Sequence, residues 1–158
     1  MLHYECDIEL NDNAPSVGLL MAFGNEQKKM NKKNRLKNCF MKQSNISFAF
    51  LFGSRANGSY NSQSDWDFAV WINNSSDIER LIEKEQLRQQ LAKLLKTDKI
   101  DLVDLQSASL SIMSSVVENG IILKGDGLLE LNLFYKRVWS LEEDFYWRIQ
   151  YENRTLSS

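Results

Sequence analysis

Proline, histidine and cysteine are almost missing from this chain of 158 residues, which holds Pro15, His3 and the pair Cys6 and Cys39. A structural metal site normally needs four ligands, so a lone His3 without a partner motif reads as incidental. Cys6 and Cys39 stand far apart with no C-x-x-C spacing. They read as reduced thiols of a cytoplasmic protein rather than as a staple or a metal clip. No apolar run approaches the roughly 20 residues of a membrane span. The longest run near the start, Val17–Phe23, follows Glu5, Asp7, Glu9 and Asp12 with no Lys or Arg. That charge is the wrong sign for a secretory signal. The net charge is −2, so no global basic field points to nucleic acid, and no direct nucleic-acid partner is expected. There is no internal repeat, low-complexity tract or linker. What remains is an ordinary globular composition, 43% apolar and 25% charged, of one-domain length.

The apolar pattern sets the element order. Lys28, Lys29, Lys32, Lys33, Arg35, Lys37 and Lys42 form a basic stretch, read as a solvated helix face or as a patch for a phosphate-rich ligand or acidic partner. Phe48–Phe52 is a continuous apolar run that suits a strand buried on both faces. Arg55–Tyr60 reads as a short helix or turn, and Asp67–Ile72 as a second strand. Ser76 or Asp77 caps a helix over about 78–95, with Leu87, Leu91, Leu94 and Leu95 as its apolar stripe. Ile100–Leu105 is a third strand. Ser107 opens a helix with Leu110, Met113, Val116 and Val117 inward and Gly120 as its stop. Ile121–Leu123 is a short strand. From Leu128 a long terminal helix follows, with Phe134, Val138, Leu141 and Phe145 spaced for an inward stripe. This order predicts an α/β (α+β) fold, a mixed sheet of about four strands packed by helices on one side.

The chemistry concentrates between Leu51 and Val70, L-F-G-S-R-A-N-G-S-Y-N-S-Q-S-D-W-D-F-A-V. Gly53 ends a strand, where a residue without a Cβ lets backbone N–H groups approach a phosphate. Ser54 adds a hydroxyl at a helix start, where anions are favoured. Arg55 reads equally as a triphosphate contact or as a solvated side chain. Asp65 and Asp67, two apart at a strand start, share a face, with Cα atoms roughly 6–7 Å apart. Alone, such a pair is usually a capped strand end. After a buried strand and a Gly-Ser turn it reads as a holder of hard cations, since Mg²⁺ takes one or two carboxylates plus substrate phosphates. A third acid lies in Ile100-Asp101-Leu102-Val103-Asp104-Leu105. An unpaired charge in so apolar a strand costs several kcal/mol, roughly, which calls for a compensating cation. Asp101 and Asp104 have opposite parity, so one of them faces the Asp65/Asp67 pair; parity does not choose, and Asp104 also reads as a strand-end cap.

Gly-Ser, ten residues, Asp-x-Asp, then an acid-bearing third strand resembles the minimal nucleotidyltransferase (MNT) family of the DNA polymerase beta superfamily, most strongly over residues 46–124. The resemblance implies a polymerase-beta-like nucleotidyltransferase sheet and selects Asp101 to complete a triad with Asp65 and Asp67. It implies Mg²⁺ at those three carboxylates, ATP as donor, and Gly53 and Ser54 at the pyrophosphate. MNT proteins of this size pair with HEPN ribonuclease toxins and adenylylate a toxin tyrosine, so the resemblance implies an antitoxin. Two alternatives stand beside it, a small-molecule nucleotidyltransferase of the aminoglycoside type and a non-catalytic, toxin-covering antitoxin. Residues 35–158 are the expected nucleotidyltransferase domain and 1–34 an extension without a family counterpart. One reading of that extension is an upstream start codon, with the native beginning at Met21 or Met30. The aromatics of the last helix, Tyr135, Trp139, Tyr146, Trp147 and Tyr151, read either as a partner surface or as completion of the core.

Overall fold

A computed structural model describes residues 23–74 and 76–156. His3, Cys6, Pro15, Met21, the acidic Glu5–Asp12 segment and most of the Val17–Phe23 run lie outside the described residues. The side chains of residues 23–31, Lys28, Lys29 and Met30 among them, are outside them too.

The elements run α1 (Phe23–Met41), β1 (Ile46–Phe52), α2 (Ser54–Asn57), β2 (Trp66–Ile72), α3 (Asp77–Leu95), β3 (Ile100–Asp104), α4 (Leu110–Asn119), β4 (Ile121–Lys124) and α5 (Leu129–Leu156). The four strands form one sheet in the order β3-β2-β1-β4. β1 pairs antiparallel with β2 and with β4. β2 and β3 run parallel, with α3 as the crossover between them. The mixed sheet and the element order are as the apolar pattern predicts.

The helices do not sit on one side. β1 is buried along nearly its whole length, and its alternating side chains feed two separate cores. Ala49 and Leu51 join Phe68, Val70 and Ile72 in a core closed by Leu36 and Phe40 of α1 and by Leu87 and Leu91 of α3. Phe48 and Phe50 join Ala69 in a core closed by Met113 and Val116 of α4 and by Leu131, Phe134 and Val138 of α5. A strand that is apolar on both faces requires cover on both, so the one-sided arrangement is excluded by β1 itself.

Two local readings also change, the start of α4 and the extent of the α5 stripe, while Gly120 is the stop expected. α4 starts at Leu110, not Ser107, because the Ser109 side chain accepts the Ile112 N–H and caps the helix. Gly120 does end α4, but with φ −71 rather than a left-handed turn; a Cβ there meets the Val116 carbonyl oxygen at 2.3 Å. The α5 stripe breaks off after Leu141, and Phe145 is 54% exposed. α5 has 28 residues, about 42 Å at 1.5 Å each, and outruns the sheet it packs on. On α1, Lys32, Lys33, Arg35 and Lys37 are exposed, as is Lys42 just after it; Arg35 and Lys37 flank the buried Leu36, and Lys32 and Lys33 lie one turn before it. α1 is continuous across residues 34 and 35. Among the described residues no helix is long and apolar enough to cross a membrane.

Two phenylalanines of the same stripe therefore carry different weight. Phe134→Ala is expected to lower stability by about 3–5 kcal/mol, and Phe145→Ala to leave it within about 0.5 kcal/mol. Urea unfolding of both variants checks this; equal losses contradict the end of the core at Leu141.

Candidate active site

The parallel pairing of β2 with β3 sets Asp67 directly beside Asp101, on neighbouring strands about 4.8 Å apart. On the other side Asp67 pairs with Phe52, the last residue of β1. Gly53 follows, with φ +67, a backbone conformation that favours glycine. A Cβ at Gly53 would lie 2.3 Å from the Asp67 Oδ2. The missing side chain thus leaves room for a carboxylate as well as for a phosphate. Asp65 lies just before β2 rather than within it. Asp65, Asp67 and Asp101 gather at one end of the sheet, beside the Gly53 turn.

Parity leaves Asp101 and Asp104 as alternatives, and the strand register separates them. Asp101 is exposed in the row with Asp67. Asp104 is buried on the opposite face, where Arg80 Nε donates to its Oδ2 at 2.8 Å. The Arg80 guanidinium also donates to the Asn74 carbonyl and to Asp77. Asp104 Oδ1 accepts the Gln106 N–H at 3.0 Å, so Asp104 is both an ion-pair partner and a strand-end cap. The compensating cation that an acid in this strand calls for is present for Asp104, and it comes from α3.

Arg55 takes a part that neither of its sequence readings foresees. Its Nε donates to the Asp65 carbonyl at 2.8 Å and its Nη2 to the Ser64 carbonyl at 2.6 Å. Its guanidinium lies 4.3 Å from the Trp66 ring centre and 5.0 Å from that of Tyr60. Lys99, from the turn before β3, grips the same loop through the Gln63 carbonyl and side chain. The Trp66 N–H donates to the Lys99 carbonyl at 3.0 Å. The end of the loop that carries Asp65 is thus clamped from two sides, by Arg55 of α2 and by Lys99. Lys99 leaves no local signal in the sequence, because its partner lies 36 residues away. The Trp66 between the two aspartates does leave one: its parity turns it to the opposite face, into the first core.

Ser54 opens α2, a single turn in which Ala56 and Asn57 donate to the Gly53 carbonyl. The N–H groups at the start of such a turn have no intrahelical acceptor and face whatever lies before it.

The carboxylates repel one another. Burial, then the charges of Asp101 and Asp65, push the Asp67 carboxyl above its ordinary 3.8, with Arg55 pulling the other way. Among the described residues no hydrogen bond or ion pair reaches the Asp65, Asp67 or Asp101 carboxylates. Nor do any three acidic, His or Cys side chains close on a cation by themselves. An all-oxygen set with repelling charges and free lone pairs fits a hard divalent cation that completes its shell with phosphate oxygens and water. It does not fit a closed structural metal site.

Residues 34–126 match the family "Polymerase beta, Nucleotidyltransferase", and the chain belongs to that family. Within it, the chain is 36% identical over 95 residues to the protein adenylyltransferase MntA of Aphanizomenon flos-aquae, covering 56% of this chain and 63% of that protein. It is 39% identical over 80 residues to MntA of Shewanella oneidensis, covering 51% and 55%. The matches thus span about three fifths of the length of these curated relatives. Among solved structures the chain is similar to a toxin–antitoxin with AMP-PNP, at 28% identity and TM-score 0.63, over 80% of this chain and 98% of the other. It is also similar to a complex of tri-AMPylated Shewanella oneidensis HEPN toxin with MNT antitoxin, at 26% identity and TM-score 0.59, over 82% and 99%.

The raised Asp67 carboxyl fixes the sign of a stability effect. The folded state holds the Asp67 proton more tightly than the unfolded chain, so this group's contribution to stability falls as pH rises from about the ordinary carboxylate value through the raised one. At neutral pH the charge is a liability to the metal-free fold. Asp67→Asn is therefore expected to raise the melting temperature in chelator. Adding Mg²⁺ and ATP should raise that of the wild type and leave the variant nearly unmoved. A lower melting temperature for the variant in chelator contradicts the repulsion.

Proposed function

We propose that this chain is a Mg²⁺-dependent adenylyltransferase that transfers AMP from ATP to a tyrosine hydroxyl of a cognate HEPN ribonuclease toxin and thereby neutralises it. The observation that carries this reading is the register of Asp67 and Asp101 beside the Gly53 turn. The likeness to MntA and to toxin–antitoxin complexes supports the donor, the acceptor class and the antitoxin role. Residues 35–158 are the working domain, with 1–34 as an extension, and an ATP-consuming antitoxin belongs in the cytoplasm.

Asp65, Asp67 and Asp101 are the groups that hold Mg²⁺ here. Bound, the ion neutralises triphosphate charge and lowers the pKa of the acceptor oxygen. The remaining work falls to the chain. Gly53 lets the phosphates approach the backbone, and the Ser54 hydroxyl and the first N–H groups of α2 orient the leaving pyrophosphate. The Arg55 clamp keeps Asp65 in line with Asp67. The acceptor oxygen bonds to the α-phosphorus as the bond from that phosphorus to the bridging oxygen of pyrophosphate breaks. The exposed Asp101 carboxylate is open to an incoming hydroxyl and takes its proton as general base.

The partner surface is read from the exposed aromatics of α5. Tyr135 packs against Phe50 and Phe134 and completes the core. Trp139, Tyr146, Trp147 and Tyr151 are all more than half exposed, an aromatic row of the kind that anchors interfaces. It divides the two roles that the sequence leaves open for these residues.

Incubation with ATP labelled at the α-phosphate, Mg²⁺ and a lysate of the source cell tests the reading. The wild type should label a HEPN protein on tyrosine, and Asp65→Ala/Asp67→Ala should lower that labelling roughly a hundredfold or more. Label found only in a small molecule moves the acceptor to that class. Neutralisation that survives the double substitution makes the chain a covering antitoxin.

A further inference from the structure

The first core is open at one end. Between α1, α2 and β4 lies a cavity of about 520 Å³, within the size range of small-molecule sites. Leu36, Leu51, Trp66 and Ile121 line it, all members of the first core. It therefore lies on the face of the sheet opposite Asp67 and Asp101. Lys32, Lys33 and Arg55 also line it, and among the described residues no acidic side chain does. Among the described residues neither Lys32 nor Lys33 makes a hydrogen bond or an ion pair. Tyr60, 41% exposed, stands at the cavity with its ring on Arg55.

An apolar floor, aromatic rings and three cations without a carboxylate select a ligand that carries both a flat ring and negative charge. Ring stacking satisfies the floor and the rings; a phosphate satisfies the ammonium groups. We infer that this cavity is a second binding site, separate from the carboxylate site, for a phosphorylated ring compound of mononucleotide size. The inference does not rest on the proposed transfer reaction. Its consequence for that reaction is local. Arg55 and Trp66 form the cavity wall and also clamp and adjoin Asp65 and Asp67, so a ligand here presses on the back of the catalytic loop.

AMP is the probe, added to the full chain in chelator, where the carboxylate site has no cation with which to hold a phosphate. The readout is the indole N–H signal of Trp66 in a nitrogen–proton correlation spectrum, assigned with Trp66→Phe. AMP is expected to shift this signal in a saturable way. Lys32→Glu/Lys33→Glu should weaken the binding about tenfold, the sum of two exposed charge contacts. Tyr60→Ala should weaken it about threefold, by loss of ring contact. Asp65→Asn/Asp67→Asn should keep the shift. Lys93→Glu/Lys96→Glu, an equal charge change on a different surface, should leave the affinity within twofold. Three results overturn the site: no shift at saturating AMP; a shift lost in the aspartate variant and kept in the Lys32/Lys33 variant; or equal weakening by both lysine pairs.

Discussion

The parallel pairing of β2 with β3 is the constraint on which the candidate site depends. A shift of one residue in that register turns Asp101 away from Asp67 and replaces it with Ile100 or Leu102. Three features hold the register. Below the strands, Ile100 and Leu102 are buried with Phe68 and Val70 in the first core. Above it, Arg80 ties the end of β3 to the start of α3 through Asp104. The Trp66 to Lys99 hydrogen bond closes the other end of the pair. The core packing and the Arg80 tie lie on the face that Asp67 and Asp101 do not use, while the Trp66 to Lys99 bond sits at the carboxylate end.

The carboxylates themselves work against the fold. They are drawn together by the sheet and by a glycine whose absent side chain admits Asp67, and the cost appears in the raised Asp67 carboxyl. The fold tolerates this because both faces of β1 are buried in aromatic and aliphatic cores, far more apolar surface than three charges can undo. The repulsion gives the chain a reason to bind a divalent cation. The same economy explains α5, which packs tightly as far as Leu141 and then presents aromatics to its surroundings.

Local patterning made most of the elements legible before any coordinates. The Phe48–Phe52 run, the Leu87–Leu95 stripe and the acid-bearing Ile100–Asp104 strand each declare themselves within ten residues. What could not be read was relational. The two faces of β1 are both apolar and call for cover on both, but which helices supply it depends on where α1, α3, α4 and α5 return. The choice between Asp101 and Asp104 needed the strand register and a cation 24 residues away in Arg80. Phe145 has the right spacing for the core and lies beyond its end, since periodicity carries no information on how far a sheet extends. Arg55 reads equally as a phosphate contact or as a solvated side chain, while its clamp on the Ser64 and Asp65 carbonyls appears only once the loop is folded.

The most direct test of the central claim is a crystal of the chain grown with Mn²⁺ and a non-hydrolysable α,β-methylene analogue of ATP. An anomalous scattering peak is expected within coordination distance of Asp65 and Asp67, with the triphosphate against Gly53 and Ser54 and the α-phosphorus turned toward Asp101. A peak elsewhere, or a bound nucleotide whose phosphates avoid these three carboxylates, would contradict that claim.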